Sequence, residues 1–349
     1  MASYSRRKML GGARMAVFHC RNNCVRDMFL CGIDPVTGKD YSHRRGWMME
    51  RLALFAALFA IDVEFLAIMS NHYHVVLRTM PRVAGRWSRE EVVRRWLTAT
   101  RLAKHMCDGL PTPDPDPKMV EELARDKRKV KKLRKRLCNV SWFMGLLSEN
   151  IARRANQEDG KVGKFWRGRF KMRECTDENA VLICGLYVDL NPIRAGEATG
   201  PETAVYTSAY RRIQAFSQSR DAPDRADGWL AELTVPPERK EDVLLAYGSR
   251  TGRRASDLGI LPISLETYLA LLGWVADAIQ SGQRDTIPSD LEPVLEGLSI
   301  KRDAFWNAID DYENSFCHVV GPPDSLAEVA DRMGVSYLRG ATASRAVFG

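Results

Sequence analysis

The stretch DVEFLAIMSNHYHVVLRT, Asp62 to Thr79, decides how the chain is read. Its first half is an apolar run rich in Val, Phe, Leu and Ile. A polar Ser70-Asn71 step follows, then a second run dense in Tyr, Val and Leu, so the stretch reads as two strands joined by a tight turn. In a strand, residues two apart point to the same face, which sets His72 and His74 side by side while Tyr73 points away. The chain has only six histidines. Two imidazoles on one face can bind one divalent ion, but two ligands are too few for a useful site. On this motif alone, a metal pair and two half-exposed polar residues on a strand edge both stay open.

Working outward, HRRGWMMERLALFAALFA (His43–Ala60) places Trp47, Met48, Leu52, Phe55, Leu58 and Phe59 near helical spacing, which predicts an amphipathic helix before the strand pair. Farther upstream, Ala13–Asp34 carries two short apolar runs around Asn22-Asn23 and predicts a hairpin. Downstream, Val140 to Gly160 predicts an amphipathic helix ended by glycine. The segment KVGKFWRGRFKMREC then interleaves Lys161, Lys164, Arg167, Arg169 and Lys171 with Phe165, Trp166 and Phe170. A second helix is predicted from a cap at Thr176 to a stop at Pro192. Helices alternating with a strand pair imply an α+β fold, an antiparallel sheet covered by helices.

Composition divides the chain. Its 349 residues are 45% hydrophobic, enough for sizeable cores. Residues 1–212 hold 39 Lys+Arg against 23 Asp+Glu, whereas residues 213–349 hold 13 against 21, so a polyanion would bind the first part. We expect a domain over 1–212 with a basic helical insert at about 83–140, and an acidic, mainly helical domain over 213–349. Within the insert, Lys118 to Leu137 has ten basic and three acidic residues and predicts an exposed basic helix, read either as a solvated connector or as a phosphate contact. The longest uncharged apolar run, Leu52 to Ile61, is half of the roughly 20 residues a membrane span needs, so no membrane contact is expected. No signal-like segment opens the chain, so a cytoplasmic protein is expected, its eight cysteines free thiols.

Three further patterns bear on chemistry. In GLYVDLNPIRAG (Gly185–Gly196), Tyr187 and Asn191 are four apart and share a helix face. Asn191 offers a neutral oxygen to complete a site with His72 and His74, and Tyr187 would lie one turn away; its alternative is a buried core tyrosine. An amidohydrolase-type barrel also starts with His-x-His, but it needs two more histidines and an aspartate on later strands, and only His105 and His318 follow. The Cys and His residues of His19–Cys31 fit no common zinc spacing and are read as hairpin packing. Ser325–Gly340 has helix-turn-helix spacing in acidic surroundings and is read as an ordinary helix pair.

Together these residues amount to a resemblance. MSNHYHVVL is similar to the Met-Pro-Asn-His-x-His-hydrophobic motif of the HUH single-strand DNA nucleases, and FWRGRFK and YVDLNPIRAG resemble the two downstream signatures of single-tyrosine transposases, especially the REP-associated ones. The likeness covers residues 13–212 apart from the insert. It implies a ferredoxin-like HUH endonuclease domain, with Tyr187 as nucleophile, His72, His74 and Asn191 as metal ligands, and Mg2+ or Mn2+ as the ion. It implies a DNA transposase or endonuclease that cuts and rejoins single-stranded or hairpin DNA, such as a REP element, through a 5′-phosphotyrosine, as a monomer or a homodimer. Lys164, Trp166, Arg167, Arg169, Lys171 and Arg194 are the expected DNA contacts. A domesticated DNA-binding regulator with the same fold is the alternative. Ser70 stands where the family has proline, which loosens the turn before His72, and the insert and tail lie outside the pattern.

Overall fold

In the computed structural model every residue is described except 1–5, 11, 13, 26–29, 35, 108–113, 220, 221, 223, 235–247, 285, 286 and 298–301. The class is mixed α+β. Strands β1 (Val17–Asn23), β2 (Ile61–Ile68), β3 (His72–Thr79), β4 (Lys171–Cys175) and β5 (Val319–Val320) form one sheet in the order β2-β3-β1-β4-β5. Neighbours are antiparallel except β4 and β5, which run parallel. A short helix α1 (Arg6–Leu10) precedes β1, and α2 (Arg44–Leu58) connects β1 to β2. Thus β2, its turn, β3 and α2 form where the hydrophobic pattern puts them.

The hairpin expected around Asn22-Asn23 does not form. Both asparagines continue β1, with Asn22 opposite Tyr73 and Asn23 opposite His72. β3 pairs with both asparagines, and on the other edge β4 pairs up to Arg21 while the Arg167 amide donates to the Asn23 carbonyl, so the pair is held in the sheet and does not turn. Part of the second run of that expectation, 26–29, lies outside the described residues.

Register sorts the side chains into two faces. Phe18 and Cys20 of β1 lie opposite Leu77 and Val75 of β3, and with Tyr73 they enter one core. That core is closed by α2, α4 (Arg89–Cys107) and α7 (Val140–Glu158), with α3 (Pro81–Arg86) between β3 and α4. The basic insert adds α5 (Pro117–Arg125) and α6 (Lys127–Leu137), which pack on α4. Val130, Leu133 and Leu137 of α6 are buried, while Lys127, Arg128, Lys129, Lys131, Lys132 and Lys135 are exposed. The expected basic helix is therefore present, broken at Asp126, whose carboxylate caps α6 by accepting from the Lys129 amide.

The opposite face holds Phe65 and Ala67 of β2, His72, His74 and Val76 of β3, His19 and Arg21 of β1, and Lys171, Arg173 and Cys175 of β4. Helix α8 (Glu178–Arg194) lies on it. Its cap is Asp177, one residue past the expected Thr176, and it runs two residues beyond Pro192, where a missing amide costs only one bond of the last turn. Gly185 lets it approach: a Cβ there would meet the Phe65 ring at 2.6–2.9 Å. One turn on, buried Asp189 accepts from Ser208 Oγ at 2.6 Å and from the Tyr268 hydroxyl at 2.7 Å, which ties α8 to α9 (Ser208–Phe216) and α10 (Leu265–Ser281). After α11 (Glu292–Gly297) come α12 (Arg302–Asp310), α13 (Tyr312–Ser315), β5, α14 (Pro323–Met333) and α15 (Ala341–Phe348). Residues beyond 213 thus share a core with α8 and extend the sheet through β5. Within Ser325–Gly340, Leu326, Val329, Ala330 and Met333 are buried in the core. Among the described residues no helix is long and apolar enough to cross a membrane.

The Gly185 contact gives a stability test. Gly185→Val should lose about 1–3 kcal/mol through overpacking against Phe65, read from urea unfolding. Adding Phe65→Leu should return part of that loss; equal stability of Gly185→Val and the native chain would mean that the ring moves aside freely.

Candidate active site

Strand β3 delivers His72 and His74 to the α8 face with ring centroids 5.0 Å apart. Helix α8 delivers Tyr187, its ring 5.6 Å from that of His74. The two histidines and the tyrosine, more than a hundred residues apart in sequence, therefore meet. Strand β1 adds His19, a residue sequence reasoning had grouped with nearby cysteines. Its Nε2 lies 2.8 Å from His74 Nδ1, the rings stack at 5.1 Å, and its ring is 6.0 Å from Tyr187. His19 and Cys20 point to opposite faces of β1, so a zinc cluster of that segment does not come together.

Hydrogen bonds fix which nitrogens remain. His72 Nδ1 donates to Asn71 Oδ1 at 2.6 Å, and His74 Nδ1 is taken by His19, so His74 Nε2 is buried without a hydrogen-bond partner. Burial pushes His72 down to about 4, helped by the Arg21 charge, and holds His74 and His19 well below the usual range. All three are neutral at neutral pH, the state in which an imidazole offers a lone pair to a metal. The turn before His72 is not loose: the Ser70 amide, which a proline would lack, donates to Glu197 Oε1 at 3.1 Å, and Glu197 is held by Arg45.

Tyr187 is only 6% exposed. The Tyr312 ring of α13 stacks on it at 4.4 Å, and the Arg194 guanidinium lies 5.5 Å from its ring. Burial raises its phenol, against the opposing pull of Arg21, Asn191, Arg194 and Arg173. Asn191 Nδ2 donates to the Tyr187 carbonyl at 2.7 Å, so this amide sits beside Tyr187, one turn on. Among the described residues no three His, Cys, Asp or Glu side chains converge on a metal position. What fits a metal is the imidazole pair with an orphaned Nε2, and any third donor from the expected set is the neutral Asn191 oxygen.

The remaining expected contacts divide. Lys164, Arg167, Arg169 and Lys171 are exposed beside the end of β1, where the Arg167 amide donates to the Asn23 carbonyl at 2.8 Å. Trp166 is half-buried, its Nε1 donating to the Ser148 carbonyl at 2.7 Å and its ring 5.4 Å from Tyr73. Phe165 and Phe170 are buried in the core, so of the three aromatics in this segment only Trp166 keeps an exposed part. Arg194 donates to the carbonyls of Ile309 and Asp310, the first at 2.7 Å. Arg21, Arg173, Tyr312 and Glu313 went unnoticed in the sequence. The first two would have been found once residues 17–23 and 171–175 were paired, since Arg21 stands opposite His74 and Lys171, and Arg173 opposite His19.

No family profile and no curated protein matches the chain. A solved structure of a REP-associated tyrosine transposase bound to a REP hairpin is similar over 61% of this chain and 86% of that one, at 12% identity and a TM-score of 0.31, a score too low to show a shared fold.

Proposed function

We propose that the protein is a divalent-metal-dependent, single-tyrosine DNA transposase or endonuclease of HUH type, acting on single-stranded or hairpin DNA. The observation that carries this reading is the meeting of His72, His74 and Tyr187 on one sheet face. The path β1-α2-β2-β3-helices-β4, with β1 lying between β3 and β4, supports a ferredoxin-like HUH arrangement.

His72, His74 and the Asn191 oxygen would hold Mg2+ or Mn2+; two imidazoles also accept zinc. Bound there, the ion supplies charge neutralisation at the scissile phosphate. The chain's own residues do the rest. Tyr187 Oη attacks phosphorus as the P–O3′ bond breaks, and the proton given up by the phenol is balanced by the one taken up by the leaving 3′-oxygen, which departs as a hydroxyl. The product is a 5′-phosphotyrosine, and attack by another 3′-hydroxyl reverses the step and joins strands without ATP. Lys164, Arg167, Arg169, Lys171 and Arg194 would hold backbone phosphates, and the exposed part of Trp166 would stack a base. Single strands are favoured because the tyrosine must reach a phosphate that a duplex constrains. The cover over Tyr187 favours one second reading, a DNA-binding regulator that has kept the fold but not the cleavage.

A labelled hairpin oligonucleotide with manganese should give a denaturant-resistant protein–DNA adduct, and its absence on every hairpin and single strand tried would leave the regulator. Tyr187→Phe should abolish the adduct and keep DNA binding. His72→Ala should abolish cleavage, and metal-dependent cutting at the native rate would rule out the imidazole pair. His19→Phe removes the partner of His74 Nδ1 and should weaken Mn2+ binding about 10-fold or more, measured calorimetrically without DNA.

A further inference from the structure

Arg21 shares the sheet face of His19 and His74, and its charge acts on both His72 and Tyr187. On β1 it stands directly opposite His74 on one side and Lys171 on the other. Its Nε donates to Asn23 Oδ1 at 3.2 Å, and its Nη1 pairs with the Glu313 carboxylate. Glu313 follows Tyr312, the residue stacked on Tyr187. The same short segment engages two more cations of the site: Arg173 donates to the carbonyls of Phe316 at 2.7 Å and Glu313 at 2.8 Å, and Arg194 to those of Ile309 and Asp310. Like charges crowd here strongly enough that the Lys171 ammonium is pushed down, by burial first and then by Arg21, Arg173 and Arg167. Such a cluster calls for an anion, and a carboxylate beside a guanidinium has the charge and the paired oxygens of a phosphodiester.

We propose that Arg21, with Lys171 beside it, is the seat for a DNA phosphate next to Tyr187, and that Glu313 on the C-terminal segment holds this seat until DNA displaces it. This extends the proposed function and rests on DNA being the substrate. The segment 309–316 is then a cap read by charge. A nucleic-acid strand must replace the Arg21–Glu313 pair and lift Tyr312 before a phosphate can meet the tyrosine, so the observed affinity is the intrinsic affinity reduced by the fraction of chains already open.

The test is fluorescence anisotropy of the full chain with a labelled single-stranded oligonucleotide in EDTA, which separates binding from chemistry. Glu313→Gln, an isosteric change, should tighten binding about 3- to 30-fold by removing the competing anion. Arg21→Gln should weaken it about 10-fold or more. In the Arg21→Gln background the Glu313 change should do nothing, because the two act at one seat. Unchanged or weaker binding by Glu313→Gln, or no binding by either form, overturns the proposal. Hydrogen exchange on the unmodified chain gives a readout free of folding effects. Amides of 309–316 should exchange faster with the oligonucleotide bound, and unchanged or slower exchange counts against the cap. Loss of the Tyr187 adduct reading would leave these binding results standing, and failure of the seat would leave the adduct intact.

Discussion

Helix α8 reaches the histidines because Gly185 lets its backbone rest on the Phe65 ring. A side chain at that position would lift the helix off the sheet and carry Tyr187, half a turn farther on, away from His74. One turn on, the same side of the helix is held just as firmly, since Asp189 is buried and bound by Ser208 and by Tyr268, whose ring lies 5.6 Å from that of Phe65. A helix buried nearly all round does not choose its rotation by amphipathicity, because every face is apolar. Its rotation is instead set by these two contacts, one steric and one polar, and the site follows from them.

Much of this was legible in the sequence, for a physical reason. The strand pair at 61–79 and the helices at 44–58 and 140–158 carry local hydrophobic periods, and the helix at 178–194 carries a capping stretch and a proline near its end, so their bounds fall within a few residues of expectation. His72, His74 and Tyr187 were legible through motif spacing on those elements. His19, Arg21 and Arg173 were not, because their roles depend on which strands pair, and β1 pairs with segments about 55 and 150 residues away. Asn22-Asn23 misled for the same reason: its turn propensity gave way to the ladder with β3. The aromatics of FWRGRF were half legible, since spacing alone does not tell a buried phenylalanine from an exposed base platform.

The acidic tail shows the limit of composition as a guide. Its charge balance reads as a separate unit of opposite sign, yet a single carboxylate within it, Glu313, meets Arg21 in the basic part, and its backbone carbonyls take up Arg173 and Arg194. Such a contact is set by local geometry and not by net charge, since the reverse pairing also occurs: Arg332 of the tail meets Glu174 of the basic part at 2.6 Å.

The resting chemistry of Tyr187 follows from the same contacts. Burial under Tyr312 raises the phenol, while the arginines that would favour its anion are already shared with the tail. A phenolate at Tyr187 is thus disfavoured while the tail lies in place. Freeing Arg21, Arg173 and Arg194 would expose the hydroxyl and return three positive charges to its surroundings together, changing access and acidity by one movement. On the proposed function, a nucleophile held this way is unreactive toward small solutes that cannot displace the tail, and the selectivity for a polyanion comes from the contacts it must replace.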